Sequence, residues 1–142
     1  MSFCRPAKLN LWVTQNQENL ENNISFHYTN HMKQLQTKLQ HLIRHLHMRL
    51  HHLRASQSVL FEVDHFPTSP IFSLRTSKPR QLASACQQSG YIVRAIMPPT
   101  IPEGKERVRV CLHSGNTEEE IDGLVQTIQS WLDQCEVRSA NL

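Results

Sequence analysis

A chain of 142 residues with a formal charge of +3, 39% hydrophobic and 6% aromatic, has room for one modest core and too little net charge to imply a polyanion partner. Its cysteines, Cys4, Cys86, Cys111 and Cys135, form no CxxC pair, which argues against a zinc site or a disulfide scaffold and for reduced thiols. Arg5 and Lys8 precede no apolar run of signal-peptide length, and nothing approaches the roughly 20 apolar residues of a membrane span, so a soluble cytoplasmic product is expected, with a mitochondrial one left open by any amino-terminal truncation.

Residues 1–30 are polar and rich in Asn and Gln, and their weak periodicity reads as loop or frayed helix. From about Thr29 the pattern sharpens. Leu35, Leu39, Leu42, Leu46, Leu50 and Leu53 recur at spacings of three or four and predict a long amphipathic helix over 31–55. No acidic residue lies between Glu21 and Glu62, so the other face of this helix carries Lys38, His41, Arg44, His45, Arg49 and His52. Three readings of that face stand side by side: a solvated surface, a contact for nucleic acid or an anionic membrane, or a metal pair at His41 and His45. The solvated surface is favoured over the other two, because basic residues and imidazoles arise easily at helical spacing in so His-rich a stretch, and no third metal ligand is suggested nearby.

An α+β domain is expected over 56–135, with 136–142 as a tail. Val59 and Phe61 alternate with polar neighbours, Pro67 and Pro70 frame a turn, and Ile71, Phe72 and Leu74 read as a strand. Ser77 as N-cap, Pro79 in the first turn, the apolar residues Leu82, Ala83, Ala85 and Cys86, and Gly90 as a stop predict a helix. A strand follows over Tyr91–Ile96, then a stiff loop at Pro98, Pro99 and Pro102. In ERVRVCL, Val108, Val110 and Leu112 occupy one face of a strand and Arg107, Arg109 and Cys111 the other. Thr117 before Glu118, Glu119 and Glu120 predicts a capped helix whose buried stripe is Ile121, Leu124, Ile128, Trp131 and Leu132. This order predicts a small, mainly antiparallel sheet covered by helices and preceded by the long helix.

Arg109, on a strand beyond a proline loop and near Ser114 and Gly115, suits a carboxylate, since a guanidinium fork makes paired charge-assisted hydrogen bonds. Spacing alone favours the alternative, a surface strand with outward arginines.

Three blocks, TSPIF at 68–72, SGYIVRAIMPPTIPEG at 89–104 and ERVRVCLHSGNTEEEIDGL at 106–124, resemble the carboxy-terminal domain of the pyridoxal-phosphate-dependent α-oxoamine synthases, a branch of the class II aminotransferase superfamily. The likeness runs from about Leu39 to Leu132 and is strongest to the 8-amino-7-oxononanoate synthase branch. It implies the small domain of a fold-type I enzyme that condenses an amino acid with an acyl thioester, with Arg109 binding the amino-acid carboxylate. It further implies that Ser69, Pro70, Ile71, Pro98, Pro99 and Thr100 border the substrate channel. Met97 stands where that branch usually carries arginine, and LHSGNT replaces a run of small residues ending in His-Thr. None of Lys8, Lys33, Lys38, Lys78 and Lys105 follows a Ser or Thr by three positions, the usual context of the cofactor-holding lysine in such enzymes. The resemblance therefore implies a chain that is incomplete as a catalyst and is completed by a cofactor-binding large domain or a homologous subunit. A non-catalytic or regulatory partner of a full-length homologue is the alternative.

Overall fold

A computed structural model describes residues 7–56, 62–63 and 69–140. The elements are α1 (Ala7–Ser56), β1 (Glu62–Val63), β2 (Ile71–Arg75), α2 (Pro79–Gln88), β3 (Arg94–Ile96), β4 (Arg107–Cys111) and α3 (Glu118–Ala140). The chain divides into two compact units, Met1–Thr37 and Lys38–Leu142.

In the first unit α1 is already helical at Ala7, well before the leucine spacing begins. Every described side chain from 19 to 30 is exposed. Apolar periodicity reports burial rather than backbone conformation, so a helix without a buried face leaves little trace in it. Thr29 and Thr37 bond back through Oγ1 to the carbonyls of Ser25 and Lys33 at 2.8 and 2.9 Å, satisfying their hydroxyls within the helix.

The second unit holds the core. Its sheet has the order β1-β2-β4-β3, and every neighbouring pair is antiparallel. Strands β2 and β3 therefore run parallel, joined through α2, with β4 inserted between them, which makes a split βαβ unit. The α+β class and the antiparallel sheet expected from the sequence are both present.

Register assigns each side chain to a face, because opposed residues of an antiparallel pair point the same way. Val63, Phe72, Leu74, Val108 and Val110 share the covered face, with Ala95 half-buried beside them. Leu42, Ile43, Leu46, Leu50 and Leu53 of α1, Leu82, Ala83 and Cys86 of α2, and Ile121, Leu124, Val125, Ile128, Trp131, Leu132 and Cys135 of α3 complete the core. Burial among these apolar groups pushes the Cys86 thiol up to about 11, so it stays protonated and packs as a small hydrophobe.

Helix ends follow local chemistry, with two adjustments to the sequence reading. The N-cap position of α2 is Lys78 rather than Ser77, and no side chain caps it. Thr76 Oγ1 instead accepts the Lys78 N–H at 3.3 Å, while Pro79 opens the helix without needing a donor partner. At its far end the Gly90 N–H bonds to Gln87 O and the Tyr91 N–H to Cys86 O, both at 3.0 Å, with Gly90 at φ +90°. That pair of bonds is a Schellman closure, which requires the left-handed conformation glycine adopts without strain. It also commits Tyr91 to the helix end, and the strand begins only at Arg94. The expected Val59 and Phe61 strand positions lie outside the described residues.

Helix α3 begins with a reciprocal capping box. Thr117 Oγ1 accepts the Glu120 N–H at 3.2 Å, and Glu120 Oε2 accepts the Thr117 N–H at 3.2 Å.

Candidate functional site

The uncovered face of the sheet is the chemically distinctive surface. Alternation along β4 puts Arg107, Arg109 and Cys111 there, and register brings Ile71, Ser73 and Arg75 of β2 and Arg94 and Ile96 of β3 alongside. One end is apolar, with Ile71 opposite Cys111. The middle row is Ser73, Arg109, Arg94, and the next is Arg75, Arg107, Ile96. Arg94 and Arg109 are exposed, and Arg75 and Arg107 half-buried. Glu62 is the single carboxylate in the described strands, 3.5 Å from Arg75 Nη1.

The expected site residues flank this face rather than gather at one point. Ser69 and Pro70 lie at its apolar end, where Ser69 Oγ accepts the Ile71 N–H at 3.0 Å and Pro70 O accepts the Leu112 N–H at 2.8 Å. These bonds set the start of β2 against the end of β4. Pro98, Pro99 and Thr100 lie beyond the opposite end, where the Thr100 N–H bonds to Met97 O at 3.1 Å and the Pro98–Pro99 bond is cis. Arg109 stands between the two segments. Arg94 and Arg75 were not singled out from the sequence. Their signal is strand alternation, which becomes readable only once pairing puts them beside Arg109 and Arg107.

A second charged cluster lies where α1 meets the start of α3. His41 Nδ1 is 3.2 Å from Glu118 Oε1, while His45 Nε2 and Arg49 Nε are each 2.9 Å from Asp122 Oδ1. One edge of the basic helix face is therefore paired with carboxylates one turn apart. The His45 hydrogen bond, followed by the charge of Arg49, holds the Asp122 carboxyl below its ordinary range. Hydrogen bonds from the Asn116 side chain and the Thr117 N–H do the same for Glu120. Among the described residues, no group of three or more His, Cys, Asp or Glu is arranged to hold a metal ion, and no helix is long and apolar enough to cross a membrane.

Comparison with known proteins gives this geometry a context. The sequence profile of the family described as aminotransferase class I and II matches residues 13–128. An 8-amino-7-oxononanoate synthase of Emericella nidulans is 61% identical over 110 residues, which is 78% of this chain and 27% of that protein. Proteins of the same name from Alkalilimnicola ehrlichii and Xylella fastidiosa are 38% identical over 68 residues and 49% identical over 47 residues. These cover 48% and 33% of this chain and 17% and 12% of the relatives. The chain thus spans about a quarter, or less, of the curated relatives it matches.

Pyridoxal phosphate, the cofactor of that family, needs an amine to hold it and a carboxylate free to face its ring nitrogen. The described strands contain no lysine, and their one carboxylate is engaged with Arg75. Lys78 precedes α2, and Lys105 is in the β3–β4 loop. The described residues of the arginine face do not by themselves fit the cofactor; they fit an anion.

Proposed function

The chain belongs to the class I and II aminotransferase family, and we propose that it supplies the substrate-carboxylate-binding part of a pyridoxal-phosphate-dependent acyltransferase that condenses an amino acid with an acyl thioester. The observation that carries this reading is Arg109, exposed at the centre of an arginine-rich sheet face between the Ser69-Pro70-Ile71 and Pro98-Pro99-Thr100 segments. A guanidinium on a strand paired on both sides is held in place by the ladder, so it orients a carboxylate as well as attracting it. When bound, the cofactor supplies the carbanion chemistry, and this chain's part is to hold the amino acid in position.

The match to about a quarter of a much longer relative supports a chain that is not catalytic alone and works beside a large domain. The test is reconstitution in a full-length context. There Arg109→Ala should raise the amino-acid KM about 10- to 100-fold, the effect of losing a charge-assisted pair, and leave the acyl-donor KM near its starting value. Unchanged amino-acid kinetics would sink the assignment.

A second reading, a non-catalytic partner of a full-length homologue, is favoured by one observation. Leu20, Ile24, Tyr28 and Met32 recur every fourth residue on α1 and are 42–67% exposed. Co-expression with a full-length relative separates the two, since a partner subunit co-elutes at fixed stoichiometry and alters the relative's activity.

A further inference from the structure

The ladder between β3 and β4 stops one rung short. Leu112 bonds its N–H to Pro70 O, so alternation turns the backbone groups of Cys111 away from β2 and toward the line of β3. Arg94 and Arg109 are the last matched pair there, and continued register would set Ile92 opposite Cys111. Among the described residues no backbone bond makes that rung. The cause lies in the preceding helix. Tyr91 N–H is bonded to Cys86 O in the closure of α2, and Val93 O accepts from Gln87 Nε2 at 2.9 Å. Both bonds tie residues 91–93 to α2, and Ile92 is left 91% exposed.

A cleft of about 510 Å³ opens beside the missing rung, within the range of about 300–1,000 Å³ usual for small-molecule sites. Val93, Leu112, Ile121 and Leu124, all buried, form its apolar wall. The polar side chains that line it are engaged with one another. Asn116 accepts the His113 N–H at 2.9 Å and donates to Glu120 at 3.0 Å, while His113 Nδ1 accepts the Gly115 N–H at 3.1 Å. The backbone N–H and C=O of Cys111 are therefore the hydrogen-bonding pair that the cleft presents beside its apolar wall. A ligand that brings a matching donor and acceptor together with apolar surface replaces water on both counts.

We propose that this cleft binds a small neutral molecule of the N-acylated amino-acid amide type. Its N–H and C=O flank one carbon, as those of Cys111 do, and so complete the rung. Its side chain lies on the face of Cys111, since opposed residues point the same way, and its acyl chain lies toward the buried wall. The cleft includes neither Arg109 nor the segments that flank it, so this inference stands apart from the carboxylate anchor.

The experiment combines amide hydrogen exchange and Cys111 alkylation on the full 142-residue chain. In the free chain the Cys111 N–H should exchange fast, as an unpaired amide does, while the Val108 and Val110 N–H groups in the ladder with β2 exchange slowly. N-butanoyl-leucine amide should slow both the exchange of Cys111 and its alkylation by iodoacetamide, saturably and with one midpoint. Methylation of the leucine nitrogen removes the donor for Cys111 O and should weaken binding about 10-fold. N-acetylglycine amide keeps the hydrogen-bonding groups without the apolar ones and should also bind about 10-fold or more weakly. Ser89→Trp, on the exposed rim, should block the probe, whereas Ser84→Trp, exposed on α2 outside the cleft, should not. Circular dichroism confirms that each variant is folded.

Slow Cys111 exchange in the free chain would show the rung already closed and overturn the proposal. So would an absence of saturable protection by the butanoyl probe, equal binding of its N-methylated counterpart, or protection undiminished in Ser89→Trp. If Ser89→Trp does not fold, the exchange and N-methyl comparisons decide the matter alone.

Discussion

On one side of the sheet Phe72, Leu74, Val108 and Val110 are at most 4% exposed, whereas on the other Ile71, Arg109 and Cys111 meet solvent. The same two strands supply both sets, one residue out of phase. The covered side sees a dense interior in which a missing methyl group is felt, and the open side sees water, in which charge is screened and cheap to hold. Stability is therefore carried on the covered face and, in the proposed function, binding on the open one, and substitutions on the two should have opposite signatures. Phe72→Ala should cost about 3–5 kcal/mol in urea unfolding, while Arg109→Ala should stay within about 0.5 kcal/mol. Comparable losses from both would break the division.

The covered side can be probed more finely at Gly123 of α3, where an added Cβ would land on the Tyr91 hydroxyl. Alanine is ordinarily the better helix former, so intrinsic propensity predicts a gain. Overpacking predicts the reverse, a loss of about 1–3 kcal/mol. Tyr91→Phe removes the clashing atom, and the double variant should recover most of the loss, a coupling that a thermodynamic cycle isolates. Gly123→Ala stabilising the chain would show that Tyr91 yields easily, and that packing at this edge is looser than in the centre.

How much of this was legible in the sequence depends on which signal each residue leaves. The leucines of α1, the valines of β4 and the stripe of α3 were readable because burial imposes period and amphipathicity on apolar residues. Ile43, Val125 and Cys135 widen those stripes without breaking their period. The helical turns from Ala7 to about Thr29 were not readable as a periodic stripe, and the side chains described there, from residue 19 on, are all exposed. At Tyr91 the apolar alternation suggested a strand, but the Schellman bonds claimed the residue first. On the open face, Arg107 and Arg109 were visible from alternation within one strand. Their partners Arg75 and Arg94 sit 32 and 15 positions from Arg107 and Arg109 along the chain, and nothing local joins them. Pairing is a tertiary fact, so a site assembled across strands is legible only one strand at a time.

Between the extremes of core and arginine face lies the polar start of α3. Thr117→Ala removes the acceptor for the Glu120 N–H and half of the capping box, which should cost about 1 kcal/mol. Thr117→Ser keeps the hydroxyl and should restore nearly all of it. If serine fails to rescue, the threonine methyl rather than the cap is the stabilising group, and this helix start belongs with the packed side.

The smallest expected effect concerns the ion pairs between α1 and α3, where the comparison is sharpest because charge sits next to the core without being buried in it. Asp122 is held below its ordinary carboxylate range by His45 first and Arg49 next, and Glu120 by Asn116 and the Thr117 N–H. A carboxylate whose folded value is depressed binds protons more weakly in the folded chain than in the unfolded one. Its stabilising contribution is complete above the unfolded value and disappears as pH falls through the folded one. Urea midpoints should therefore decline below about pH 4, the ordinary carboxylate region. Asp122→Asn should flatten that decline while changing stability little at pH 7, and added salt should shrink the difference, as it does for exposed pairs. An acid limb equally steep in Asp122→Asn would place the pH-sensitive stability elsewhere, and would leave the His45 and Arg49 contacts as a consequence of leucine packing rather than a support for it.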